Sequence, residues 1–156
     1  PIDILRGSGA KINVSRESID IKPPEKIKPV SFKTEPYPGI PTDIQAQLMV
    51  LNILADGHST IHETIFENRF MHVLELQRMG ADVSLSRNVA SIKGIKGLKS
   101  APVMATDLRA SAALVLAALA AEGETIVDRI YHIDRGYENI DKKLSSIGAM
   151  VERIES

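Results

Sequence analysis

Residues 105 to 123 read Ala-Thr-Asp-Leu-Arg-Ala-Ser-Ala-Ala-Leu-Val-Leu-Ala-Ala-Leu-Ala-Ala-Glu-Gly, and their reading decides the fold. The stretch predicts a helix with marked ends. Thr106 can cap its first turn, Asp107 puts negative charge at the positive end of the helix dipole, and Gly123 is a natural stop. From Ala110 to Ala121 only Ser111 is polar, so no face suits water and burial on all sides is expected. At about 1.5 Å per residue the rod is too short to span a bilayer. Asp107 and Arg109 therefore sit at the polar tip of a dry rod, a place that suits a binding site.

The same rod occurs earlier. A helix opening at Pro41-Thr42-Asp43 runs through Leu48, Met49, Val50, Leu51, Ile53 and Leu54 to Gly57. Thr42-Asp43 and Thr106-Asp107 are 64 residues apart, and Gly57 and Gly123 are 66 apart. Each glycine is followed by a strand pattern, Ser59 to Glu63 and Glu124 to Asp128, then by a turn ending in Arg69 or Arg135. An amphipathic helix closed by Gly80-Ala81 or Gly148-Ala149 comes next, and then a strand, Asp82 to Ser86 or Met150 to Ile154. An echo at a period of about 65 to 70 residues is a strong architectural signal. It predicts an α/β fold of βαβαββ repeats.

Residues 1–21 read as the tail of a further, partial copy, in which Lys11 to Val14 and Ser18 to Ile21 alternate as a strand pair. Complete copies are expected at 29–98 and 99–156. Residues 22–41 hold six of the eight prolines, the composition of a linker. Against that, Pro29 to Lys33 matches Pro102 to Met104 as the strand before each dry helix, with Glu35 to Ile40 inserted in the first copy. Arg87-Asn88 is a hairpin turn between Val83 to Ser86 and Val89 to Ile92.

A chain of 156 residues with 44% hydrophobic content supports one domain with a real core. Its 19 basic and 20 acidic residues offer no broad field for nucleic acid. Having no cysteine, it has no disulfide, thiolate nucleophile or cysteine metal site. No signal peptide or membrane-length apolar run is evident, so a cytosolic location is expected, and a start at Pro1 suggests a fragment.

Each full copy supplies one acid at a helix tip, Asp43 or Asp107, and one arginine after the first strand, Arg69 or Arg135; the second adds Arg109. If the dry helices pack side by side about a pseudo-threefold axis, these residues gather at one end. Helix N-termini favour anions there, and arginines grip phosphate or carboxylate in bidentate fashion. The same residues would serve equally as caps and ordinary salt bridges. His58 and His62 fall on or beside a strand, where their spacing does not build a helical ligand pair, and His72 and His132 stand alone. Met49, Met71, Met79 and Met104 read as core filler, and Lys96 and Lys99 as loop residues.

Four strings carry a resemblance: Pro-Tyr-Pro-Gly-Ile-Pro-Thr-Asp (36 to 43), Glu-Thr-Ile-Phe-Glu-Asn-Arg-Phe-Met-His (63 to 72), Met-Ala-Thr-Asp-Leu-Arg-Ala-Ser (104 to 111) and Asp-Arg-Ile-Tyr-His-Ile-Asp-Arg-Gly-Tyr-Glu (128 to 138). Their order resembles the UDP-N-acetylglucosamine 1-carboxyvinyltransferase family of enolpyruvate transferases, from about Gly7 to the C-terminus. The related shikimate-pathway synthases share the fold but not these strings. The resemblance implies a two-domain enzyme, each domain an inside-out α/β barrel with buried helices and solvent-facing sheets. Residues 1–156 would be most of the domain that holds the C-terminus, with its first repeat incomplete and the partner domain missing.

The implied reaction moves enolpyruvate from phosphoenolpyruvate to the 3-hydroxyl of UDP-N-acetylglucosamine and releases phosphate. It is the first committed step of peptidoglycan synthesis, which ties the family to cell shape and division. Asp43 matches the proposed base at the sugar 3-hydroxyl, and Ile65 a backbone contact to the sugar nucleotide. Arg69 and Arg135 match arginines on phosphoenolpyruvate, and Asp107 and Arg109 charged residues lining the same cleft. No metal or organic cofactor is implied, and the isolated fragment is expected to be inactive. The other readings are a shikimate-phosphate enolpyruvate transferase and a non-catalytic repeat domain that binds a nucleotide or a partner.

Overall fold

In the computed structural model, which describes residues 1–154, the chain opens with α1 (Ile2–Gly7) and the antiparallel pair β1 (Lys11–Val14) and β2 (Ile19–Lys22). The proline-rich segment that follows is docked rather than free. Buried Asn52 accepts from Val30 N–H at 2.9 Å and donates to the Val30 carbonyl at 2.9 Å, and Asp56 N–H donates to Ile27 O.

The next unit is β3 (Phe32–Lys33), a 3-10 turn (Thr42–Ile44) leading into α2 (Gln45–Ile53), β4 (His58–His62), α3 (His72–Arg78), β5 (Asp82–Ser86) and β6 (Val89–Lys93). Its sheet has the order β3-β4-β6-β5, parallel at β3/β4 and antiparallel elsewhere. Alternation sets the faces: Ile61, Ala90, Ile92 and Val83 point into the core, while His58, Thr60, Ser84 and Ser91 face out. The expected two-residue hairpin forms, with Ser86 opposite Val89 and Arg87 at φ 54°.

The last part comprises β7 (Leu98–Lys99), β8 (Val103–Met104), α4 (Leu108–Leu119), β9 (Ala121–Glu122), β10 (Val127–Asp128), α5 (Tyr131–Asp134) and α6 (Ile140–Ser146). β7 pairs with β9 and β8 with β10, both in parallel. The architecture is mixed α/β, its strands lying in separate small sheets with no closed barrel among the described residues.

α2 and α4 pack against each other in the interior. Met49 and Ile53 of α2 meet Ala113, Leu114 and Ala117 of α4 in a core that includes Leu76 of α3. Ala113 and Ala117, four apart and fully buried, keep α4 slim where its neighbours press closest. Gly94 marks another tight approach. A Cβ there would lie 1.6 Å from the Ala55 carbonyl oxygen, and only glycine lets Gly94 N–H reach Gly57 O at 2.7 Å.

Several expectations are corrected. Asp107, not Thr106, caps α4: its Oδ1 accepts from Arg109 N–H at 2.9 Å and Ala110 N–H at 3.0 Å, while Thr106 Oγ1 is buried without a partner. α4 stops at Leu119, because the chain leaves the helix to pair β9 with β7; Gly123, at φ 89°, makes the turn after that strand. α2 likewise ends at Ile53, short of Gly57. Nor is α4 dry all round, since Leu116 and Leu119 are 42% and 41% exposed. Only Val127–Asp128 of the strand expected at 124–128 is paired. Residues 150–154 form no strand, and Met150 is fully exposed. Met71 and Met104 are exposed, unlike Met49 and Met79.

Candidate functional site

The two helix tips meet. Asp43 lies in the 3-10 turn before α2, and Arg109 lies in the first turn of α4. The Arg109 guanidinium forms an ion pair with Asp43, Nε facing Oδ1, so the pair joins the first unit to the second. Both side chains are partly exposed, at 39% and 58%, so water and salt screen the pair and its worth to stability is small. Its importance is positional: it sets an acid and a guanidinium side by side at the rim of the domain.

Beneath the pair is a narrow crevice lined by Thr42, Gln45, Arg69, His72, Asp107 and Arg109. Its free space is about 10 Å³, close to the minimum for one water, so a larger ligand has to engage the rim. Asp43, Arg69, Asp107 and Arg109 are thus brought together. The Arg69 guanidinium stacks 4.5 Å from the Phe66 ring centroid, which aims it without neutralising it. Asp107 is committed to its helix cap.

Arg135 stands apart from the crevice. It is the exposed cap residue of α5, and the next residue, Gly136, abuts Leu108 at the start of α4. Arg135 is therefore at the same end of the domain. Among the described residues neither Arg69 nor Arg135 is paired with a carboxylate, so both keep their full capacity for an anion.

Ile65 follows β4 in a loop whose backbone is fixed by Glu63. This carboxylate is buried and accepts four hydrogen bonds: Oε1 from Thr34 Oγ at 2.8 Å, Ile65 N–H at 2.9 Å and Phe66 N–H at 3.2 Å, and Oε2 from Thr42 Oγ at 2.9 Å. The sequence pattern carries a signal for Glu63. Continuing the inward parity of Ser59 and Ile61 along β4 points residue 63 inward, where a carboxylate needs partners.

His72 stands alone in the sequence but not in the fold. It is buried in the crevice wall, and burial lowers its pKa from 6.5 to about 4, outweighing the nearby Asp107 carboxylate, which pulls it up. The imidazole is neutral at pH 7. No group of three or more His, Asp or Glu side chains suited to a metal ion occurs among the described residues. Nor is any helix there long and apolar enough to cross a membrane.

A larger hollow of about 380 Å³, lined by His58, Thr60, Asp82, Ser84 and Lys93, lies on the outer face of the four-stranded sheet. It sits at the start of β4, whereas the helix tips adjoin the other end of that strand. The paired helix tips, with their free arginines, are the better candidate.

The chain is similar to known proteins along nearly its whole length. UDP-N-acetylglucosamine 1-carboxyvinyltransferase of Thermodesulfovibrio yellowstonii is 56% identical over 97% of the chain, and that of Geotalea uraniireducens 57% over 97%. The chain spans 36% of the length of each of these curated relatives. Among solved structures, the enolpyruvyl transferase NikO from Streptomyces tendae superimposes with a TM-score of 0.89 at 31% identity, covering 97% of this chain and 35% of that one. An EPSP synthase from Acinetobacter baumannii, at 16% identity, has a TM-score of 0.79 over 99% of this chain and 39% of its own, a likeness of fold. A family model described as EPSP synthase (3-phosphoshikimate 1-carboxyvinyltransferase) matches residues 2–144. With that match running through nearly its whole length, the chain belongs to the EPSP synthase family of carboxyvinyltransferases.

Proposed function

We propose that this chain is the C-terminal-side part of a two-domain UDP-N-acetylglucosamine 1-carboxyvinyltransferase acting in the cytoplasm at the first committed step of peptidoglycan synthesis. In the intact enzyme its units, 1–21, 29–98 and 99–156, would contribute to an inside-out barrel. Relatives of that name at 56% and 57% identity support the substrate class. The observation that carries the reading is the meeting of Asp43 with Arg109 at paired helix tips beside the uncommitted Arg69.

The chemistry asks for what these residues supply. The 3-hydroxyl oxygen of the sugar bonds to the central carbon of phosphoenolpyruvate while its proton passes to the Asp43 carboxylate. The methylene carbon takes a proton from an acid in the remainder of the enzyme. The tetrahedral intermediate then breaks its carbon–oxygen bond to phosphate and loses a methyl proton, which restores the enol. Arg69 and Arg135 hold the carboxylate and phosphate charges of phosphoenolpyruvate, and the Ile65 backbone meets the sugar nucleotide. Arg109 and Asp107 line the same cleft. As the domains close over these groups and exclude water, their electrostatic effect grows.

The test is phosphate release by the intact enzyme and by this chain alone, with phosphoenolpyruvate and either UDP-N-acetylglucosamine or shikimate 3-phosphate. Release is expected from the intact enzyme with the sugar nucleotide, and none from the chain alone. Release with shikimate 3-phosphate instead reassigns the acceptor, and no release with either acceptor turns the reading to a binding domain.

A further inference from the structure

We propose that Glu63 is a positioning residue. It locks the Asp43 helix tip and the Ile65–Phe66 backbone into one geometry for the acceptor sugar nucleotide. The inference rests on the reading above, in which Asp43 and Ile65 meet that substrate. Its basis is the distribution of four hydrogen bonds over three chain segments. Oε2 holds Thr42, the residue before Asp43; Oε1 holds the amides of Ile65 and Phe66; and Thr34, at the end of β3, closes the set. A carboxylate offers only acceptors, and all four neighbours are donors.

The second unit shows that the fold does not need this cluster. Thr34 N–H donates to His62 O at 2.9 Å, and in the same place Ala105 N–H donates to Asp128 O at 2.9 Å. Matching the units through these bonds puts Ala105 where Thr34 stands and Arg129 where Glu63 stands. Thr106, the counterpart of Thr42, has a buried hydroxyl with no partner. The second unit therefore builds the same strand–helix–strand frame without the carboxylate. A buried charge is a poor device for stability alone, because desolvation offsets most of its attraction. The cluster occurs where the exposed acid does. A misplacement of about 1 Å in a reacting group can cost about a hundredfold in rate, and the Glu63 carboxylate limits that freedom at two substrate-facing segments at once.

The experiment compares Glu63→Ala, Glu63→Gln and Thr42→Val in the intact enzyme. Glu63→Ala is expected to raise KM for UDP-N-acetylglucosamine about tenfold, well beyond any change in KM for phosphoenolpyruvate, and to lower kcat about a hundredfold. Glu63→Gln keeps one acceptor oxygen for three donors and can donate to Thr42 Oγ, so it should recover most of both losses. Thr42→Val cuts only the tie next to Asp43 and should lower kcat about tenfold with both KM values kept. A merely structural role would reduce the active fraction and leave both KM values unchanged in Glu63→Ala. That result, or both KM values rising together, overturns the proposal.

Hydrogen exchange on the unliganded variants gives a readout free of the assigned reaction. Residues 40–47 and 64–70 should lose protection together in Glu63→Ala, with 104–111 unaffected. Loss in only one segment, or throughout the chain, also overturns the proposal. If Glu63→Ala does not fold, Glu63→Gln and Thr42→Val decide it by the same exchange pattern and kinetics. Should the wild-type enzyme fail to turn over, the functional reading falls while exchange still decides the coupling.

Discussion

Two Thr-Asp pairs stand at two helix tips, and they divide their work in opposite ways. At the first tip Thr42 donates to Glu63, while Asp43 caps nothing and reaches outward to Arg109. At the second, Asp107 turns inward to cap α4, and the Thr106 hydroxyl is left without a partner. The helix starts follow suit: the first opens as a 3-10 turn with no side-chain cap, the second as a capped α-helix. The same dipeptide thus yields one aspartate at the rim, held against Arg109, and one spent on the helix cap. The residues around them differ: Thr34 and Glu63 in the first unit stand where Ala105 and Arg129 stand in the second.

The sharpest way to break this comparison is Asp43→Asn in the intact enzyme. It keeps shape and removes the base, so kcat should fall by about two to four orders of magnitude with sugar-nucleotide affinity retained in a calorimetric titration. Normal turnover would make Asp43 as structural as Asp107. Next in size is the helix contact beneath the tips. Ala113→Leu or Ala117→Leu should overpack the α2–α4 seam and cost about 1 to 3 kcal/mol, read as a lower chemical-denaturation midpoint. An unchanged midpoint in both variants would place α4 outside the core.

Arg135→Lys keeps charge but loses the planar fork, and should weaken phosphoenolpyruvate binding about tenfold. Intact affinity would make that arginine structural. The smallest effect is expected at the committed aspartate. Asp107→Ala should cost about 1 kcal/mol through the lost cap, whereas Asp107→Asn should leave the midpoint nearly unchanged because asparagine caps as well as aspartate.

His72 adds a test in pH. Its pKa is about 4 in the fold against 6.5 unfolded, so between those values the unfolded chain binds more protons. Its contribution is complete above pH 6.5 and is lost as pH falls toward about 4, with a slope of at most about 1.4 kcal/mol per pH unit. His72→Phe should flatten the denaturation midpoint over that window.

Much of this was legible from pattern. The apolar run from Ala110 and its echo from Leu48 mark the two central helices, and alternation marks β4, β5 and β6. The Thr-Asp tips and the arginines after the strands mark the site region. What local pattern leaves open is whatever a partner decides. Thr106 reads as well as Asp107 for a cap, and only the backbone geometry at 107 chooses between them. Met150 to Ile154 alternates like a strand but meets no edge among the described residues. Leu116 and Leu119 read as buried, yet the described residues cover them only in part. Local pattern does not single out Glu63 and His72, because their surroundings come from segments distant in sequence, such as Thr34 and Thr42 for Glu63.

The clamp that Asn52 places on Val30 bears on how this chain can vary. One amide side chain meets both the N–H and the carbonyl of a single residue, as a neighbouring strand would. It reads main chain only. Side chains from 22 to 31 can therefore drift without loosening this hold, and at position 30 the clamp itself rejects only proline, which has no N–H to give. Position 52 has no such latitude. Aspartate there would face the Val30 carbonyl with an acceptor, and leucine would leave both backbone groups unanswered.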